Sequence, residues 1–176
     1  MPSLLTKNAQ LYFGFMPDSE TLNRQIIDAY PRLGQQDFIR RSHFFGGRHE
    51  NLYIKRLCIP AIDKVLAHAE HFAKEILNVT GQGLRIGFWI NDMGPGNSTS
   101  EHNHDDNDEL LSGVYYVHVP AESGELSITD QRSRTIITPE AGMFVFFSPD
   151  VFHSVSVNKS LARRISIGMN FGPAQL

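Results

Sequence analysis

The residues best suited to chemistry are the histidines of the polar stretch 101–106. Side chains alternate faces on an extended strand, so His102, His104 and Asp106 would all project to the same side. Positions two apart lie roughly 6.6 Å apart along a strand, so two neighbouring members of this set could bind one metal ion. A third ligand must come from elsewhere, and His153 is the candidate. The alternative interpretation of the stretch is a solvated acidic loop.

A strand near the C-terminus supplies a second chemical group. Its apolar positions share one face: Ile165, Ile167, Met169 and Phe171. Its other face carries Arg164, Ser166, Gly168 and Asn170. If the apolar face packs against a helix, Arg164 rather than Arg163 points into the interior of the fold. A buried arginine needs an anionic partner, either a bound ligand or a structural carboxylate of the chain.

The elements that must position these residues fall into two parts. Apolar residues at helical spacing predict helices over 19–30, ending before Pro31, and over 60–78. Between them, residues 34–53 show no clear period and are interpreted as an ordered loop. Short strands separated by turn signals are predicted after Gly83, at 84–91, 113–119, 125–129, 135–137, 143–147, 153–157 and 164–171. The pattern predicts an α+β, mainly β fold, in which an antiparallel sandwich or barrel carries the front helices on the outside of its sheet.

Four further histidines lie in the front part, and we interpret none of them as a metal ligand. His43 and His49 lie in the expected loop, where surface polar residues are favoured over substrate contacts. His68 and His71 flank the apolar stripe of the second helix, which is typical of solvated helix positions.

Length and composition predict one domain over residues 1–176, with a helical front part at 1–83 and a strand-rich core at 84–172. The formal net charge of −3 gives no electrostatic footprint for nucleic acid or an anionic membrane. There is no apolar run of about 18 residues that could form a transmembrane helix. The N-terminus has no signal-peptide pattern, and the lone Cys58 fits a reducing compartment, so a cytoplasmic location is the default expectation. A homodimer is compatible with these data.

Taken together, the motifs resemble the 2-oxoglutarate- and iron(II)-dependent oxygenases, in the bacterial and phage branch related to prolyl 4-hydroxylases. The resemblance covers roughly residues 85–171 and depends on the order and spacing of its motifs. These are His102-x-His104, Ser112-Gly113-Val114-Tyr115-Tyr116, Ser123-Gly124, Pro139-x-x-Gly142, Phe147-Ser148-Pro149-x-x-x-His153 and Arg164-x-Ser166-x-x-x-Asn170. The resemblance implies a double-stranded β-helix (jelly roll, cupin-like), an Fe(II) site, and 2-oxoglutarate and O₂ as cosubstrates.

The resemblance also implies roles for single residues. His153 corresponds to the distal metal ligand, and Arg164 to the basic residue that pairs the far carboxylate of 2-oxoglutarate. Tyr116 corresponds to a tyrosine that hydrogen-bonds the same cosubstrate, although a core aromatic is an equal reading. The superfamily pattern His-x-Asp would select His104 with Asp106, whereas the nearest branch carries His-x-His and selects His102 with His104. We favour the second set, so the expected metal-binding and catalytic residues are His102, His104 and His153.

The implied activity is hydroxylation of a substrate with oxidative decarboxylation of 2-oxoglutarate to succinate. A cupin-like metal-binding protein, an isomerase or a small-molecule sensor that does not use 2-oxoglutarate, is the alternative. Arg164 separates the two, because such a protein has no need of an inward arginine at that place. The sequence does not specify the substrate, which is either a small molecule or a peptidyl residue.

Overall fold

The fold is a pair of antiparallel β-sheets with two α-helices packed on the outer face of the larger sheet. The structure is a computed structural model that describes residues 5–6, 11–81, 83–104, 108–130 and 133–174. In chain order the strands are β1 (Leu5–Thr6), β2 (Leu11–Phe15), β3 (Phe38–Phe45), β4 (Arg48–Ile54), β5 (Leu84–Met93), β6 (Thr99–His102), β7 (Leu111–His118), β8 (Leu126–Thr129), β9 (Arg134–Ile137), β10 (Met143–Phe147), β11 (Phe152–Val155) and β12 (Arg164–Pro173). The helices are α1 (Ser19–Ala29) and α2 (Pro60–Leu77), with short 3₁₀ turns at Tyr30–Arg32, Gln35–Asp37 and Arg56–Cys58.

The two sheets face each other and enclose the interior of the fold. The larger sheet has the strand order β1-β2-β10-β7-β12-β5-β4-β3, and the smaller has the order β6-β11-β8-β9. Strand β10 illustrates the packing, because its side chains alternate between two apolar clusters. Phe144 and Phe146 pack toward the helices, whereas Met143, Val145 and Phe147 pack between the sheets. The predicted antiparallel sandwich with outer helices is confirmed.

Helix α2 covers the outer face of the larger sheet as its apolar stripe predicts. Pro60 occupies the first turn, where its missing N–H needs no partner, and Asn78 ends the helix in the left-handed conformation with φ +53°. The stripe is buried against the outward face of β12, which carries Ile165, Ile167, Met169 and Phe171. The polar face of β12 is therefore turned toward the smaller sheet, as expected from the sequence.

The predicted loop over residues 34–53 is wrong. Strands β3 and β4 form an antiparallel hairpin there, and β4 pairs with β5 at Leu52 and Ile90. Strand β2 also lies in the front part and pairs with β10 along its length. Residues 1–83 are therefore not purely helical, because their strands extend both ends of the larger sheet. The edge strand β3 is exposed on both faces, so its sequence has no alternation to reveal it.

Candidate metal centre

Three histidines meet between the two sheets at the end of the smaller sheet. His102 ends β6 and lies opposite His153 of the neighbouring strand β11. The chain then turns, and His104 is held by its backbone N–H, which donates to the carbonyl of Pro149 at 2.8 Å. One possible ligand atom from each histidine lies within 4.8 Å of the others. The ring centroids are 4.3 Å apart for His102 and His153, and 5.0 Å apart for each pair that includes His104.

Backbone carbonyls orient two of these rings. The Nδ1 atom of His102 lies 2.8 Å from the carbonyl oxygen of Ser100, and Nδ1 of His153 lies 3.3 Å from that of Val151. A carbonyl oxygen can only accept a hydrogen bond, so each Nδ1 carries the ring proton. The lone pair of each ring is then on Nε2, which is the usual arrangement of metal-binding histidines.

The electrostatics of the cluster favour uncharged imidazoles. Burial, aided by the neighbouring His102 and His43, lowers the pKa of His104 to about 4. Burial, aided by His102 and His104, lowers the pKa of His153 to about 3. Both rings are therefore neutral near pH 7, and the neutral form is the one that binds a metal ion. The alternative ligand Asp106 lies outside the described residues, so its pairing with His104 stays a prediction.

Arg164 lies in the same interior, at the start of β12. Its side chain is 2% exposed, and Nη1 donates to the carbonyls of Gly124 at 2.7 Å and Ser123 at 3.4 Å. No carboxylate forms an ion pair with Arg164 within the part of the chain that the structure describes. The neighbouring Arg163 points the other way and pairs with Asp92 through two hydrogen bonds of 2.6 and 2.8 Å. Among the described residues, the inward guanidinium therefore has backbone carbonyls as hydrogen-bond acceptors and no carboxylate partner.

Tyr116 provides a second buried polar group beside Arg164. It is fully buried, and the Arg164 guanidinium lies 5.1 Å from the centre of its ring. Its hydroxyl has no hydrogen-bond partner among the described residues. Burial raises the pKa of Tyr116, and the charge of Arg164 opposes that shift. A buried hydroxyl without a partner is unfavourable, so a bound polar ligand would stabilise it.

One cavity connects these groups. It encloses about 570 Å³ when the solvent space at its open mouth is included. Its walls include the three histidines, Tyr116 and Arg164, together with Asn51, Trp89, Asn91 and Ser166. The Trp89 ring lies 5.4 Å from that of His104. The Trp89 side chain packs across Gly168 of β12, and a Cβ atom added at Gly168 would lie 2.4 Å from the indole.

Sequence reasoning set His43 aside as a surface polar residue and missed Asn51 and Trp89 as neighbours of the site. His43 lies on β3 with its ring centroid 5.9 Å from that of His102. No local signal marks it, because its position depends on the hairpin that the sequence did not reveal. His49 instead contacts Phe44 at 5.1 Å between ring centroids.

The two histidines of α2 are remote from the three-histidine cluster. His71 is about half exposed and lies 3.3 Å from Glu75, and His68 packs on Phe72. His71 is solvated as expected, but the same expectation is wrong for His68, whose Nε2 is buried without a hydrogen-bond partner among the described residues. Neither residue belongs to the cluster that could hold a metal ion.

Comparison with known proteins places these observations in context. Residues 87–138 match the family described as "Putative 2OG-Fe(II) oxygenase". No curated protein sequence matches the chain. A prolyl-4-hydroxylase from Pseudomonas putida is similar in structure, with a TM-score of 0.66, 18% sequence identity, and coverage of 94% of this chain and 89% of that chain.

Two other similar structures extend the range of chemistry. The viral collagen prolyl hydroxylase of Paramecium Bursaria Chlorella virus-1 has a TM-score of 0.62 and 18% identity, with coverage of 96% of this chain and 98% of that chain. The non-heme alpha ketoglutarate dependent carbocyclase SnoK from nogalamycin biosynthesis has a TM-score of 0.71 and 16% identity, with coverage of 92% and 79%. These findings confirm the double-stranded β-helix fold. They also confirm the resemblance to the 2-oxoglutarate/Fe(II) oxygenases, oxidoreductases that use Fe(II), 2-oxoglutarate and O₂.

Neither of the α-helices in the described chain combines the length and apolarity needed to cross a lipid bilayer.

Proposed function

We propose that this chain, a relative of the 2-oxoglutarate/Fe(II) oxygenases, is a dioxygenase that hydroxylates a C–H bond of its substrate. In that reaction, substrate, 2-oxoglutarate and O₂ give hydroxylated substrate, succinate and CO₂. One observation carries the proposal: the three-histidine cluster, in which burial keeps His104 and His153 uncharged by lowering their pKa values, shares one cavity with a buried arginine that has no carboxylate partner among the described residues.

The histidines fit an Fe(II) ion by their number and by the proximity of their ligand atoms. We assign His102, His104 and His153 as the ligands, which would bind the ion from one side and leave positions open for cosubstrate and O₂. Bound iron would activate O₂, and the decarboxylation of 2-oxoglutarate would supply electrons for the oxidation. The hydrogen bonds from His102 and His153 to backbone carbonyls would keep the Nε2 lone pairs directed at the ion.

The inner end of the cavity fits the far carboxylate of 2-oxoglutarate. We assign Arg164 to this carboxylate, because its planar guanidinium suits a carboxylate and carries donors not used by Ser123 and Gly124. Tyr116 would donate its otherwise unpartnered hydroxyl hydrogen to the same group. Both residues are buried, so the pairing would occur away from bulk water, where it is stronger.

The mouth of the cavity is the place for the substrate. Trp89 and Asn91 of β5 form part of its wall, on the larger sheet. We propose a peptidyl or small-molecule substrate, in line with the prolyl hydroxylases and the carbocyclase among the similar structures. Hydroxylation is the most specific part of the proposal, because the carbocyclase shows that the same cosubstrates can serve an oxidation other than hydroxylation.

We also propose that residues 1–176 form a single domain. Strands β2 and β4 belong to the front part of the chain, yet they pair with β10 and β5 of the back part. These pairings support one cooperative unit.

The test is turnover of 2-oxoglutarate in air without added substrate. We expect iron-dependent formation of succinate by the wild-type protein and its loss in Arg164→Ala. Arg163→Ala is the matched control, because Arg163 is the adjacent arginine but pairs with Asp92 outside the cavity. Absence of iron-dependent succinate from the wild type, or equal rates in both arginine variants, would contradict the proposal.

A further inference from the structure

His43 stands at the rim of the metal centre although it is distant from the ligands in sequence. It lies on the edge strand β3, is exposed, and has its ring centroid 5.9 Å from that of His102. The ring centroids of the three proposed ligands are closer to one another, at 4.3 to 5.0 Å. No ligand atom of His43 belongs to the cluster that could hold a metal ion. His43 is therefore a neighbour of the metal centre and not a fourth ligand.

Hydrogen bonds fix which nitrogen of His43 is free. Its Nδ1 lies 3.1 Å from the amide nitrogen of Asn51 and 2.9 Å from the hydroxyl of Ser42. An amide nitrogen can only donate, so Nδ1 accepts and the ring proton is on Nε2. This arrangement is the reverse of that in His102 and His153, whose Nδ1 atoms donate to carbonyls. His43 thus offers an Nε2–H donor where the proposed ligands offer a lone pair.

The surroundings of His43 tie this donor to the site. Asn51, which holds the ring, is 4% exposed and lines the cavity that contains the three histidines. The Nε2 atom of His43 has no hydrogen-bond partner among the described residues. A donor on a ring that is held by a residue of the cavity wall and lies next to His102 is suited to bind an acceptor atom of a ligand.

The backbone of His43 is held in an uncommon conformation. Its φ of +55° lies in the left-handed region, which is unfavourable for a residue with a Cβ atom. Such a conformation persists only where the surrounding structure stabilises it, and it is found preferentially at functional sites. In His43 the left-handed backbone conformation occurs together with the hydrogen bonds that hold the ring.

We propose that His43 is a positioning residue whose Nε2–H donates a hydrogen bond to an anionic ligand bound at the open side of the metal centre, next to His102. The proposal rests on the metal site proposed above but not on the use of 2-oxoglutarate. Hydrogen bonds to charged acceptors are the stronger class, so the contribution to ligand affinity is measurable.

The test measures azide binding to the Co(II)-loaded protein by visible absorption at a fixed pH. Azide is a small anion that can occupy an open metal position, so no knowledge of the substrate is needed. We expect His43→Phe to weaken azide binding roughly tenfold, which corresponds to about 1.4 kcal/mol. We expect His43→Gln to recover part of the affinity, because its amide N–H can replace the Nε2–H. His49→Phe is the matched control on the same hairpin, since His49 contacts Phe44 and should leave azide affinity unchanged.

Co(II) affinity and thermal unfolding of each variant separate positioning from a structural role. Equal azide affinity in the wild type and His43→Phe would overturn the proposal. A loss that His43→Gln does not recover, accompanied by weaker Co(II) binding, would also overturn it. Failure of the wild type to bind Co(II) would overturn both this proposal and the metal site. If azide behaves as expected but 2-oxoglutarate does not bind, the dioxygenase proposal fails and the role of His43 stands.

Discussion

The substitution Arg164→Met separates the effect of the buried charge on protein stability from its contribution to ligand binding. Arg164 is 2% exposed, and its guanidinium donates to the backbone carbonyls of Ser123 and Gly124 without forming an ion pair with any described carboxylate. Burying a charge without an opposite charge is unfavourable, and an apolar side chain of similar length removes that cost. We therefore expect the free energy of unfolding of the ligand-free Arg164→Met protein to lie within about 1 kcal/mol of the wild-type value. Removal of the buried charge offsets the loss of the donor to the two carbonyls.

The same substitution should strongly weaken 2-oxoglutarate binding. Each hydrogen bond to a charged group contributes about 1.5–3 kcal/mol, so loss of a two-donor contact costs about 3 kcal/mol, or a Kd raised roughly 100-fold. Calorimetry of 2-oxoglutarate binding to anaerobic Fe(II)-loaded protein measures this directly. Arg163→Met serves as the control, because Arg163 is 63% exposed and pairs with Asp92. A Kd for Arg164→Met within threefold of the wild type would refute the assigned role.

Three further predictions concern the neighbouring groups. Tyr116→Phe removes a buried hydroxyl without a partner, so it should leave thermal stability unchanged or higher while raising the Kd for 2-oxoglutarate several-fold; a stability loss without a change in Kd would refute this. Because the pKa values of His104 and His153 are lowered to about 4 and about 3, the metal-free folded protein binds fewer protons than the unfolded chain below about pH 6.5. Its free energy of unfolding in urea should therefore fall by about 1.4 kcal/mol for each of the two histidines between pH 7.5 and pH 5.5, and equal values at the two pH values would contradict the burial argument. In Fe(II) titrations, His102→Ala should weaken binding far more than Asp106→Ala, and the reverse order would select the other ligand pair.

The sequence predicts the strands whose environment differs between their two faces. Strand β12 alternates between apolar residues under α2 and polar residues in the cavity, so both its existence and the inward direction of Arg164 could be predicted. The strand β3 could not, because it is an edge strand exposed on both faces, and Phe44 and Phe45 lie side by side at 69% and 42% exposure. A periodic pattern arises only where one face is buried.

The same distinction applies to the candidate site. His102 and His153 could be singled out by residue type, but the pairing of β6 with β11 that brings them together is a tertiary contact. His104 and its pKa depend on burial, which the polar stretch around it does not indicate. The proximity of His43 to His102 could not be predicted, because it requires the β3–β4 hairpin to lie beside the cavity. Sequence thus identifies candidate groups, and long-range pairing decides which of them meet.

The central claim is that the three-histidine cluster holds an iron whose open positions accept 2-oxoglutarate. The most direct measurement is the visible spectrum of the anaerobic Fe(II)-loaded protein as 2-oxoglutarate is added. We predict a metal-to-ligand charge-transfer band that saturates with the cosubstrate and is absent in His153→Ala. A wild-type protein that binds Fe(II) but develops no such band would contradict the account.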